Sequence, residues 1–178
     1  MLHTKTTAVF ALFCALALVL GYFENLIPAF LVVPGGKIGL ANIVTMVVFC
    51  LMGAKPALAF GVLRCFLSSV LYSGFFAFFY GCAGTVLSVL SMAAAKTVLR
   101  DKVSEIGLSI IGAAFFNLGQ LAVCAAVLES LGVFRYFPAL LLVSAVAGSL
   151  TGYAANRIIP LCMEKNFKSK NGDNNIWK

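Results

Sequence analysis

The stretch Ser104–Leu128, SEIGLSIIGAAFFNLGQLAVCAAVL, decides the fold. Its charge, Glu105, stands at the start, and its interior is apolar apart from a few small polar groups and the amides Asn117 and Gln120. About 20 such residues, rising about 1.5 Å each in a helix, cross the roughly 30 Å hydrocarbon core of a bilayer. Ser104 is placed to cap the first turn with its hydroxyl. The run therefore predicts a transmembrane helix over 104–128.

Similar runs lie on both sides of it, at Thr6–Leu26, Ile38–Met52, Lys55–Tyr72, Phe75–Leu99 and Pro138–Ile159. Turn signals separate them: Pro34-Gly35-Gly36, Gly53, and Ser73-Gly74. Pro56 takes the favoured first-turn position of the third run. Lys5 before the first run imitates a signal peptide. That run continues through Ile27 into Leu31–Val33 without a small-residue cleavage site, so it reads as a membrane helix. The expectation is an all-α integral membrane protein with six transmembrane helices. The membrane domain would span 1–163, and the polar segment 164–178 would be a disordered cytoplasmic tail.

Composition agrees. Of 178 residues, 62% are hydrophobic and 11% charged, against roughly 25% charged in an ordinary soluble domain. Mean hydropathy is +1.03. A soluble fold cannot hide that much apolar surface, and disorder requires the opposite composition. The formal net charge of +7 sits between apolar runs and at the ends. The positive-inside rule accounts for it better than nucleic-acid binding does. With both termini cytoplasmic, the inner segments hold Lys5, Lys55, Lys96, Arg100, Lys102, Arg157, Lys165, Lys168, Lys170 and Lys178. The outer loops then hold Lys37 and Arg135. The asymmetry favours N-in, C-in.

The cysteines, Cys14, Cys50, Cys65, Cys82, Cys124 and Cys162, form no CxxC pair, and His3 stands alone. Metal sites need clustered ligands, so no metal and no cofactor is expected. The aspartates Asp101 and Asp173 lie in a loop and in the tail, so no carboxylate cluster could hold Mg²⁺ for diphosphate chemistry. A P-loop, a GxSxG and a Ser/His/Asp set are also absent. The expectation is that the chain is not an enzyme.

Polar side chains inside a bilayer are expensive and tend to be functional. At about 1.5 Å per residue, Arg64 lies about 14 Å from the inner boundary, near the midplane. Asn117 and Gln120 fall at about 20 and 24 Å. Glu24, Lys37, Asn42, Ser68 and Ser69 also fall in the outer half. The concentration suggests an outward-opening polar cavity for an anionic or zwitterionic solute, held partly by Arg64. The plainer alternative is an Arg64–Glu24 pair, with the amides cross-linking helices. Small residues four apart, which let helices approach closely, occur at Ala11/Ala15, Ala77/Gly81/Thr85 and Ser144/Gly148/Gly152. Each stripe either packs within the bundle or docks a partner subunit.

Several stretches together resemble one family: YFENLIP (22–28), PGGKIGLANIVT (34–45), LRCFLSS (63–69), IGLSIIGAAFFNLGQ (106–120) and YFPALLL (136–142). They are similar to the bacterial Gx transporters, also labelled heptaprenyl diphosphate synthase component I, over roughly residues 8–155. That family is similar to the substrate-binding S components of energy-coupling-factor transporters. The resemblance implies a six-helix S-component-like fold with a pocket facing outward, partly covered by the loop carrying Lys37. It also implies docking on a transmembrane subunit through Ala11 and Ala15 of helix 1. A histidine often precedes the Asn of the NxGQ segment in that family; this chain has Phe116.

The functional expectation is a solute-uptake component of the bacterial cytoplasmic membrane. Glu24, Lys37, Asn42, Arg64, Ser68, Asn117 and Gln120 would bind substrate. Separate ATPase and transmembrane subunits would supply energy, and nucleic acid has no part. The alternative is a non-catalytic accessory membrane subunit of isoprenoid, quinone or membrane redox metabolism.

Overall fold

The computed structural model describes residues 2–26 and 39–170. Every regular element among them is helical. Helix α1 is Leu2–Leu26, α2 Leu40–Met52, α3 Ala54–Ser68, α4 Phe75–Leu99, α5 Glu105–Val127 and α6 Phe137–Lys170. A π-helical turn, Ser69–Ser73, extends α3. Short 3₁₀ turns, Arg100–Lys102 and Leu131–Tyr136, precede α5 and α6.

Local chemistry sets these boundaries. Gly53 and Gly74 take φ of 91° and 81°, values that L side chains resist, and each ends a run. Ser104 accepts the Gly107 N–H at 3.2 Å, capping α5 as its position predicts. Helix α4 runs over the residues expected from its apolar stretch. Helix α6 does not stop near Ile159. It passes Pro160 and continues to Lys170, so residues 164–170 of the expected disordered tail are helical. Pro160 stands inside the helix, where it has no backbone N–H to give to the carbonyl four residues earlier. Residues 171–178 lie outside the described part.

Five segments are long and apolar enough to cross a membrane: Ala8–Leu26, Ala54–Ser73, Phe75–Leu99, Glu105–Val127 and Leu131–Cys162. Their outward side chains are apolar too, as Leu12, Phe75, Val98 and Leu142 show. Such an exterior suits lipid as the solvent. Helix α2 is a shorter apolar helix at the place of the expected second span. It has 13 residues, about 20 Å of helix, and is therefore shorter than the roughly 30 Å hydrocarbon core. It lies instead in the middle of the bundle, against α1, α3 and α6. Every side chain from Val44 to Phe49 is buried. A helix apolar on all sides belongs in such a place.

Close backbone approach holds the second half together. Helix α5 packs between α4 and α6. A Cβ on Gly148 would stand 2.6 Å from Ile110 Cα, and one on Gly152 equally close to Ile106 Cα. The Ser144/Gly148/Gly152 stripe is thus a seam against α5. The Ala77/Gly81/Thr85 stripe meets α3, where Gly81 faces Cys65 and Thr85 fits over Gly61. Ala11 and Ala15 differ, because both lie on the exposed face of α1.

The seam can be checked directly. Gly148→Leu should lower stability by more than about 2 kcal/mol through overpacking. Gly107→Ala, whose Cβ would meet only Ser104 Oγ at 3.6 Å, should change stability by less than about 1 kcal/mol. Denaturation in mixed micelles measures both. Equal effects would contradict the packing described.

Candidate functional site

The alternating helices bring the end of α1, the start of α2, the end of α3 and the end of α5 to one end of the bundle. A cavity of about 560 Å³ opens there. Helices α1 to α3 contribute Glu24, Asn42, Arg64, Ser68 and Tyr72 to its wall. Helices α5 and α6 and the intervening 3₁₀ turn contribute Phe116, Gln120, Leu121, Leu128, Val133 and Leu140. Since α3 packs on α1, α2 and α4, while α5 packs on α4 and α6, the two walls face each other.

Arg64 is the charged centre of this wall. It is 8% exposed. Its Nη2 donates to Asn42 Oδ1 at 3.2 Å and approaches Cys65 Sγ at 4.0 Å. Its Nε is buried and has no partner among the described residues. A buried guanidinium N–H without an acceptor costs a few kcal/mol, so an acceptor at this place would be strongly stabilised.

Glu24 does a different job from the one its sequence position suggests. Its carboxylate accepts the backbone N–H of Gly39. Gly39, at φ 82°, precedes the first residue of α2. The carboxylate thus ties the end of α1 to the start of α2 and complements the positive end of the helix dipole. Among the described residues, Arg64 is held by Asn42 and not by Glu24, so the plain ion-pair alternative is not what forms. Asn42 stands one turn into α2, and the Glu24 anchor therefore also sets the grip on Arg64.

The π-helical turn places the next lining group. It turns Tyr72 toward α1, where its hydroxyl donates to the Leu18 carbonyl at 3.3 Å. Gly21 leaves room for this, since a Cβ there would lie 2.5 Å from the Tyr72 oxygen. Single π turns inside α-helices are frequent at functional sites. Tyr72 gave no sign of this in the sequence; a π turn leaves no mark in hydropathy. Ser68 lines the cavity while its hydroxyl donates to the Cys65 carbonyl at 3.0 Å.

Asn117 is not part of the cavity lining. It is 5% exposed and donates to Ser144 Oγ at 2.8 Å and the Leu140 carbonyl at 3.4 Å. It joins α5 to α6 beside a second, inner cavity of about 30 Å³. Thr45 also lines this space, and its hydroxyl has no partner among the described residues. The space has room for ordered water. Phe116 borders both cavities and forms the floor between them. Lys37 lies outside the described residues.

The cationic side chains segregate as well. Lys55, Lys96, Arg100, Lys102 and Arg157 belong to the opposite end of the bundle, by the direction of their helices. There Lys96 Nζ sits 5.6 Å above the Phe49 ring. Among the described residues, the cavity end carries Arg135.

A multi-pass membrane helical bundle, hollowed at one end around a buried guanidinium, is the class of protein these features define. The chain belongs to the family described as heptaprenyl diphosphate synthase component I, whose model matches residues 13–158. Comparisons with curated proteins and with solved structures gave no match.

The Asn117 assignment has a measurable consequence. A double-mutant cycle of Asn117→Ala with Ser144→Ala should give a coupling of about 0.6 kcal/mol, the usual size of such bonds between membrane helices. Additive effects would remove the hydrogen bond from the account.

Proposed function

We propose that the chain is the solute-capturing membrane subunit of an uptake system, similar to the S components of energy-coupling-factor transporters. The observation that carries this reading is Arg64, buried in the wall of a 560 Å³ cavity with its Nε unpartnered among the described residues. A pocket of this size suits a small molecule. Arg64 and Asn42 would hold the negative end of an anionic or zwitterionic solute. Ser68 and Gln120 would orient it, Glu24 would keep α2 in register, and Lys37 would lie in the cover of the pocket. Asn117 would act one shell away, through the floor.

The segregation of Lys and Arg supports a cavity opening outward, with six helices in the bacterial plasma membrane and both termini in the cytoplasm. A protein without a nucleotide-binding motif would borrow energy from separate ATPase and transmembrane subunits. The exposed Ala11 and Ala15 would give such a subunit a smooth docking strip on α1.

The family description favours a second reading, a non-catalytic accessory subunit of prenyl diphosphate metabolism. One experiment separates the two. The protein is purified in mild detergent, and co-purifying molecules are identified by mass spectrometry beside Arg64→Ala. Capture predicts a small organic anion or zwitterion retained by the parent and reduced at least tenfold in the variant. A polyprenyl species retained equally by both would transfer the assignment to the accessory reading. The docking strip has its own check. Ala11→Leu with Ala15→Leu should leave ligand retention unchanged and stop cellular uptake. Undiminished uptake would take the strip out of the mechanism.

A further inference from the structure

We infer that the cavity takes an organic anion with an extended apolar body, of the alkyl or aryl carboxylate class. This rests on the capture reading and narrows it. The wall from α1 to α3 offers one guanidinium, and among the described residues no second cation lines the cavity. One planar guanidinium in the wall matches the planar head of one carboxylate.

The opposite wall sets the rest of the ligand. Leu121, Leu128, Val133 and Leu140, with Phe116, make this wall mostly hydrocarbon, broken by Gln120, Cys124 and Tyr136. An inorganic anion or a two-carbon acid would leave about 560 Å³ mostly unfilled and this surface uncovered. Apolar area removed from water is the main source of affinity in such pockets. The head therefore lies at Arg64 and Asn42, and the body extends along α5 and α6 toward the 3₁₀ turn.

The test uses the full chain in lipid nanodiscs, with binding read by calorimetry. The probes are acetate, butanoate, hexanoate and octanoate, the alcohols of the same lengths, glutamate, inorganic phosphate and geranyl diphosphate. Arg64→Gln in the same nanodiscs corrects for partition of the probes into lipid. Each added methylene should tighten Arg64-dependent binding about fourfold, and the alcohols should show no Arg64 dependence. Val133→Gln should flatten the dependence on chain length and leave acetate unchanged, which keeps the test open if Arg64→Gln misfolds. Acetate, glutamate or phosphate binding as tightly as octanoate would overturn the apolar body while leaving solute capture standing. Geranyl diphosphate binding more tightly than octanoate would overturn the carboxylate head. Arg64-independent binding of every probe would overturn the inference, and the co-purified molecule would then decide separately whether capture holds.

Discussion

A guanidinium inside a hydrocarbon-clad bundle is the constraint around which the rest is arranged. In the middle of a bilayer such a group costs about 3 kcal/mol on insertion scales, so in an apolar bundle its surroundings must supply partners or solvent. Asn42 is the partner on the neighbouring helix. Asn42 is useful only if α2 begins where it does, and α2 begins there because Glu24 holds the Gly39 N–H. Helices α1, α2 and α3 are thus joined at this end by a relay running from carboxylate to backbone to amide to guanidinium. Arg64, at the end of that relay, is also part of the cavity wall.

The two halves of the bundle are held by different physics. Between α4, α5 and α6, glycines bring backbones together and leave no space for a ligand. Between α3 and α5, direct packing gives way to the cavity. The inner polar pair, Asn117 with Ser144, belongs to the first kind of contact, although only one helical turn separates Asn117 from Gln120 in the wall. Phe116, with Gly39 and Asn42, lines both spaces.

Much of this was legible in the sequence, and the remainder was hidden for identifiable reasons. Apolar length and Gly punctuation gave α4 and the breaks at Gly53 and Gly74, because burial and backbone sterics act locally. Counting residues from a helix start put Arg64 near the midplane and Ser68 and Gln120 farther out in the same half, because helical rise is constant. The same count could not say that Asn117 faces α6, since a turn of azimuth decides that and depth carries no azimuth. The bond from Glu24 was invisible because its partner is a backbone group, common to every residue. The last helical turns before Lys170 were missed because the apolar run had ended, and a helix leaving a bilayer needs no apolar run. The family resemblance drawn from KIGLAN and NLGQ named the same family that the model match gives. Its implied likeness to S components remains part of the proposal.

The shortness of α2 also bears on the cavity. Its 13 residues make about 20 Å of helix, roughly 10 Å less than the hydrocarbon thickness of a bilayer, and Gly39, Ala41 and Asn42 at its start line the cavity. One boundary of the cavity is therefore set by where α2 starts. A relative with an α2 one turn longer at this end would have a shallower cavity, with room only for a shorter molecule.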